Sequence, residues 1–153
     1  MPAPKFRLQS VLDYREQLVE QRQQEFGVAE RAVQAQRMVL EAIRESMQAL
    51  TEVIRLSQQA GALDCEELRR QLVYQQHLDA REKAEQRTLA DLEMQLEAKR
   101  QELLHALQEK QSLDRLKERD AALRKQEENY KEGQMLDEIG MVRFRNKVEE
   151  VSS

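Results

Sequence analysis

The chain of 153 residues contains two prolines, four glycines, one cysteine and no tryptophan, and its aromatic content is 4%. Each scarcity excludes something. Both prolines, Pro2 and Pro4, stand at the start, so no proline breaks a helix after residue 4. Sandwich, Rossmann and barrel folds need many Gly, Pro, Asn and Asp turns, which this chain does not supply. The single Cys65 has no partner for an internal disulfide. No window approaches the ~18 apolar residues of a membrane span, and the first residues lack the apolar core of a secretory signal. Neither sign of charge dominates. The 25 Lys+Arg and 29 Asp+Glu are interspersed, unlike the basic stripe of a nucleic-acid binder. A soluble cytoplasmic protein is the expectation.

Apolar residues make up 40% of the chain, and their spacing decides between a folded and a disordered reading. From residue 6 to about 57 they keep steps of three and four: Leu8, Val11, Arg15, Leu18, Arg22, Phe26, Ala29, Val33, Gln36, Leu40, Ile43, Met47, Leu50, Ile54. This is a heptad seam, an apolar stripe that must face another helix. The two steps of four around Arg22 predict a stutter there. For Arg15 and Arg22 the favoured expectation is stems along the seam with heads in water. Gln36 reads equally as a register-fixing contact or as a wet spot in the seam.

A turn follows at about 58–64. Gly61 supplies a residue for a positive φ. Asp64 and Glu67 have capping-box spacing, and Leu63 and Leu68 the spacing of a hydrophobic staple. A second helix is expected over about 65–147, with a stripe of Leu68, Leu72, Gln75, Leu78, Leu89, Leu92, Leu96, Leu103, Leu107, Leu113, Leu116 and Leu123 and looser pairing around Glu82 and Glu85. Exposed faces carry acid-to-base pairs four apart, Glu66–Arg70, Asp79–Lys83, Asp120–Arg124 and Glu127–Lys131. Residues from Glu149 on look frayed. The expected fold is all-α: one coiled-coil domain over 1–153, a long antiparallel two-helix hairpin with its first helix over about 5–57.

So short a turn brings the second helix back along the first, with residue i opposite roughly 122−i. Everything beyond about residue 120 then has no partner within the chain. That overhang carries Tyr130, Met135, Leu136, Ile139, Val142 and Phe144, with Arg143, Arg145 and Lys147 among them. An apolar stripe without an intramolecular partner invites an intermolecular one. Catalysis has no foothold: His77 and His105 lie too far apart on one helix to converge, and with Cys65 they lack zinc spacing. There is no phosphate loop or nucleophile elbow. No enzyme, metal or cofactor is expected.

The opening Phe6-Arg7-Leu8-Gln9-Ser10-Val11-Leu12-Asp13-Tyr14-Arg15, the Leu63-Asp64 and Glu67-Leu68 start of the second helix, and the closing Leu136-Asp137-Glu138-Ile139 with Arg143-Phe144 together resemble the flagellar export protein FliJ family over nearly the whole chain. The resemblance implies an antiparallel coiled coil similar to the central stalk of rotary ATPases, in the type III export apparatus of the bacterial cytoplasm, peripheral to the inner membrane at the flagellar base. It implies three partners: the hexameric flagellar export ATPase, the cytoplasmic domain of the membrane export gate, and export chaperones. The ring-facing end would comprise Phe6, Leu8, Leu12, Tyr130, Leu136, Ile139, Arg143 and Phe144. Gate contact would fall on Ile43, Leu50, Tyr74 and Leu78, of which Tyr74 alone lies off the seam. A prefoldin-like chaperone hairpin and a structural homodimeric coiled coil are the alternatives.

Overall fold

The computed structural model describes residues 6–61 and 64–152, and among these there are two helices and no strand. Helix α1 spans Gln9–Gln59 and helix α2 spans Cys65–Ser152, packed against each other as an all-α hairpin. The first helix starts later than expected. The second continues through Gly133, Gly140 and the stretch read as frayed, to Ser152. The two glycines each lower helix propensity by only about 1 kcal/mol, which the surrounding residues outweigh.

Gly61 and Asp64 take their expected roles in the turn. Gly61 adopts φ +69°, and its N–H donates to the Gln58 carbonyl at 3.4 Å, a helix ending that L residues adopt only with strain. The Asp64 carboxylate accepts from the Glu66 amide at 3.1 Å and so caps α2 at its N2 position, while Glu66 and Glu67 place negative charge in the first turn. Leu63, one half of the expected staple, lies outside the described residues. Three of the four acid-to-base pairs form: Glu66–Arg70 at 3.9 Å, Asp79–Lys83 at 3.4 Å and Asp120–Arg124 at 3.1 Å.

The chain makes two compact units, residues 17–107 and residues 1–16 with 108–153. In the first, Val19, Val33, Leu40, Ile43, Leu78 and Ala106 are buried. In the second, Leu12 is the buried core residue, 2% exposed. On α1 every position of the series 12, 15, 19, 22, 26, 29, 33, 36, 40, 43, 47, 50, 54 and 57 is buried or half-buried. Steps of four and three alternate without a break, so the expected stutter is absent. Leu12 and Val19 occupy the seam; Val11 is exposed and Leu18 only half-buried. On α2 the same rule runs 68, 71, 75, 78, 82, 85, 89, 92, 96, 99, 103, 106, 110 and 113. Leu72, Leu116 and Leu123, expected in the stripe, are exposed. Gln71 takes the inward position beside Leu72 because an unbroken seven-residue repeat overrides a single leucine.

Candidate functional site

The polar seam positions are paired across the helices. Arg15 forms an ion pair with Glu109. Arg22 reaches Glu102 at 3.3 Å and Glu25 at 3.0 Å, and Lys99 meets both of those acids at 3.4 Å. The arginine heads therefore do not simply stand in water as expected; each guanidinium has a carboxylate from the opposite helix. Gln36 donates to the Glu85 carbonyl at 3.1 Å and also to the Glu85 carboxylate, and Arg44 Nε donates to Glu82 at 3.2 Å. The stretch expected to be loose around Glu82 and Glu85 is thus a hydrogen-bonded polar layer. A lost cross-helix hydrogen bond of this kind costs about 1 kcal/mol.

These contacts fix the alignment. Arg15 with Glu109, Arg22 with Glu102 and Glu25 with Lys99 place residue i opposite about 124−i, two residues from expectation. Near the chain start, Lys117 Nζ donates to the Gln9 side chain at 2.9 Å. Phe6 and Leu8 are half-buried there, and Leu12 is buried. Tyr130 lies 13 residues beyond Lys117, about 20 Å farther along α2 at 1.5 Å per residue. The expected grouping of Phe6, Leu8 and Leu12 alongside Tyr130 to Phe144 is therefore not formed. Leu12 faces the hairpin core and offers no surface to a partner.

The overhang is where apolar side chains meet solvent. Tyr130, Met135, Leu136, Ile139, Met141, Val142, Phe144, Val148 and Val151 are all exposed, Phe144 by 71%. Arg143 is exposed as well. They form two stripes. Met135, Ile139 and Val142 line a shallow groove with Glu138 and Arg143. Gly140, Met141, Phe144, Arg145 and Val148 line another. Met141, Val148 and Val151 were missed in the sequence, although their steps of three and four from Phe144 were the available signal. The Tyr130 hydroxyl accepts from Gln134 at 3.0 Å, so even its polar tip is held along the helix surface.

At the turn end, Ile43 and Leu78 are buried and Leu50 is half-buried, so they serve the core of the hairpin. Tyr74 is 49% exposed and shares a shallow groove with Glu66, Arg69, Arg70, Val73 and His77. Among the described residues no cluster of His, Cys, Asp or Glu has the arrangement to hold a metal ion. No helix among them is long and apolar enough to cross a membrane.

A family model described as "Flagellar FliJ protein" matches residues 4–149. That span is nearly the whole chain, and the chain belongs to the FliJ family. No curated protein and no solved structure matches it.

Proposed function

We propose that this FliJ-family chain is a non-enzymatic component of flagellar type III protein export, acting as one coiled-coil domain whose C-terminal overhang inserts into the ring of the hexameric export ATPase and promotes its assembly and activity. The observation that carries this reading is the run of exposed apolar side chains on a continuous helix beyond the last residue that α1 can cover. Leu136, Ile139, Arg143, Phe144 and Tyr130 are the contact residues, with Phe6 and Leu8, about 20 Å farther back along α2, as a lesser contribution. Burying the apolar groups yields roughly 25 cal/mol per Å², against which the cost of association must be set. Arg143 pairs with acids on the ring wall. The export gate is met at the turn end through the exposed Tyr74, with the half-buried Leu50 nearby, and export chaperones are escorted from the same peripheral cytoplasmic location at the inner membrane.

The test is ATP hydrolysis by the purified export ATPase with and without this chain. Added wild-type chain should raise hydrolysis and the hexamer fraction. Ile139→Asp with Phe144→Asp should abolish both effects while helicity by circular dichroism stays nearly unchanged. A double variant that stimulates as well as wild type would remove the overhang from the contact.

A further inference from the structure

Helix α1 is apolar over a wider arc than α2 covers. Beside its seam runs a second series with the same steps of four and three: positions 28, 32, 35, 39, 42, 46, 49, 53 and 56 are Val, Ala or Leu, with Ser46 the one exception. The seam to α2 keeps its seven-residue repeat unbroken, so this series holds a constant angle to it and stays on one flank of the hairpin. Val28, Val39, Val53 and Leu56 are 59, 36, 48 and 52% exposed. The Ser46 hydroxyl donates to the Ala42 carbonyl at 3.0 Å, so it is satisfied without water. The corresponding flank of α2 is mostly polar, with Arg70, His77, Arg81, Asp91, Gln95 and Glu102. Near one end of the stripe, Val28, Ala29, Ala32 and Leu92 line a shallow groove together with polar residues. The acid among these, Glu25, is held by Arg22 and Lys99. At the other end Val53 and Leu56 stand out as knobs.

We propose that α1 of a second copy of the chain packs antiparallel along this stripe, with Val28 of each copy opposite Val53 of the other. A two-fold interface must be complementary to itself. Each copy offers a groove at 28–32 and knobs at Val53 and Leu56, and this alignment seats the knobs of each copy in the groove of the other. Between them the layers are Ala32 with Ala49, Ala35 with Ser46 and Val39 with Ala42. These small side chains let two helices approach closely. Every stripe position from 28 to 53 thus meets an uncharged one. The open flank agrees in charge, since Arg31 comes beside Glu52 of the other copy and Met38 beside Glu45, and no like charges meet there. Glu52 already accepts from Arg55 at 2.6 Å, and a carboxylate can take a second cation. Parallel in-register pairing would set knob on knob and leave both grooves empty. The stripe is about 40 Å long at 1.5 Å per residue. With side chains this small the interface lies at or below about 1,200 Å² in total, so the pairing is weak and reversible. It uses none of the residues assigned to the ATPase ring or the export gate, so it does not rest on that reading.

Sedimentation velocity on the full chain, with no ATPase present, tests the pairing. Wild type should show a concentration-dependent monomer–dimer equilibrium at about 10–100 μM. Val39→Glu with Val53→Glu should weaken it at least about tenfold, while the thermal melt of the monomer stays close to wild type because both sites are exposed. Orientation is read by cross-linking in a Cys65→Ser background. Chains carrying Val28→Cys and chains carrying Val53→Cys should form a disulfide-linked dimer when mixed under mild oxidation, and neither should do so alone, because like positions lie about 25 residues apart along an antiparallel pair, roughly 37 Å. A wild-type chain that stays monomeric to roughly 1 mM overturns the proposal. So does a double-Glu variant that dimerises as tightly as wild type, self-linking by either cysteine variant, or a mixture that does not link.

Discussion

The same helix, α2, leads two different lives along its length. In the unit of residues 17–107 its seam holds charged and amide side chains, yet each such group that reaches across finds a partner: Glu102 and Lys99 with the Arg22–Glu25 pair, Glu85 with Gln36, Glu82 with Arg44. Beyond Arg124 the composition is no more polar, but Tyr130, Ile139 and Phe144 stand in solvent. Residue type does not decide which part is core. Position relative to the end of α1 does. A leucine that faces the shorter helix contributes to folding; a leucine past that helix remains available for another molecule.

Two identical substitutions break the comparison at its widest. Leu40 is 3% exposed and Leu136 is 68% exposed, and both sit inside long helices. Leu40→Asp places a carboxylate in the seam with no cation arranged to receive it and should cost about 3 kcal/mol or more, enough to lower the thermal melting point by many degrees. Leu136→Asp should stay within about 0.5 kcal/mol of wild type in the same melt. Equal losses would mean that the overhang is packed in the free chain, and the division drawn between the two regions would be lost.

A smaller contrast sharpens the same division with polar side chains. Gln36 bridges the helices to Glu85, whereas Gln134 bonds only along its own helix to Tyr130. Gln36→Ala removes a part-buried cross-helix contact and should cost about 1 kcal/mol in a denaturant titration. Gln134→Ala, at an exposed site with a better helix former, should be neutral to within a few tenths of a kcal/mol.

Much of this was legible in the sequence because its signals are local. The turn rests on Gly61 and Asp64, whose conformational and capping roles need no distant partner. The heptad period was equally plain, but its phase was not. Val11 lies beside Leu12 and Leu18 beside Val19, so two seams one residue apart are nearly equal in apolar content. The facing helix chooses between them, and it chose Leu12 and Val19. The same choice put Gln71 inside and Leu72 outside. Arg15 and Arg22 looked solvated because Glu109 and Glu102 are 94 and 80 residues away in sequence. Of the candidate site, the overhang followed from helix lengths alone. The grouping of Phe6, Leu8 and Leu12 with it did not survive, since the register near Gln9 and Lys117 places them farther back along α2.

The smallest effect expected from the paired region is its response to acid. Glu25 accepts from Arg22 and lies within 3.4 Å of Lys99. The Arg22 hydrogen bond chiefly holds its carboxyl below the usual range, partial burial opposes this, and Lys99 adds to the lowering. In the unfolded chain the same carboxyl titrates normally, so on acidification the unfolded state takes up the proton first. The stabilisation is therefore complete above the ordinary glutamate range and is lost as pH falls through the lower value of the folded state. Glu25→Gln lacks this term at every pH. Melting points of wild type and E25Q should differ most near neutrality and converge toward pH 3, with all other carboxylates common to both chains. Because Glu25 remains partly solvated, the gap should be modest and should shrink further in high salt. A gap that widens on acidification would mean that the Arg22–Glu25–Lys99–Glu102 cluster does not hold the helices together through charge.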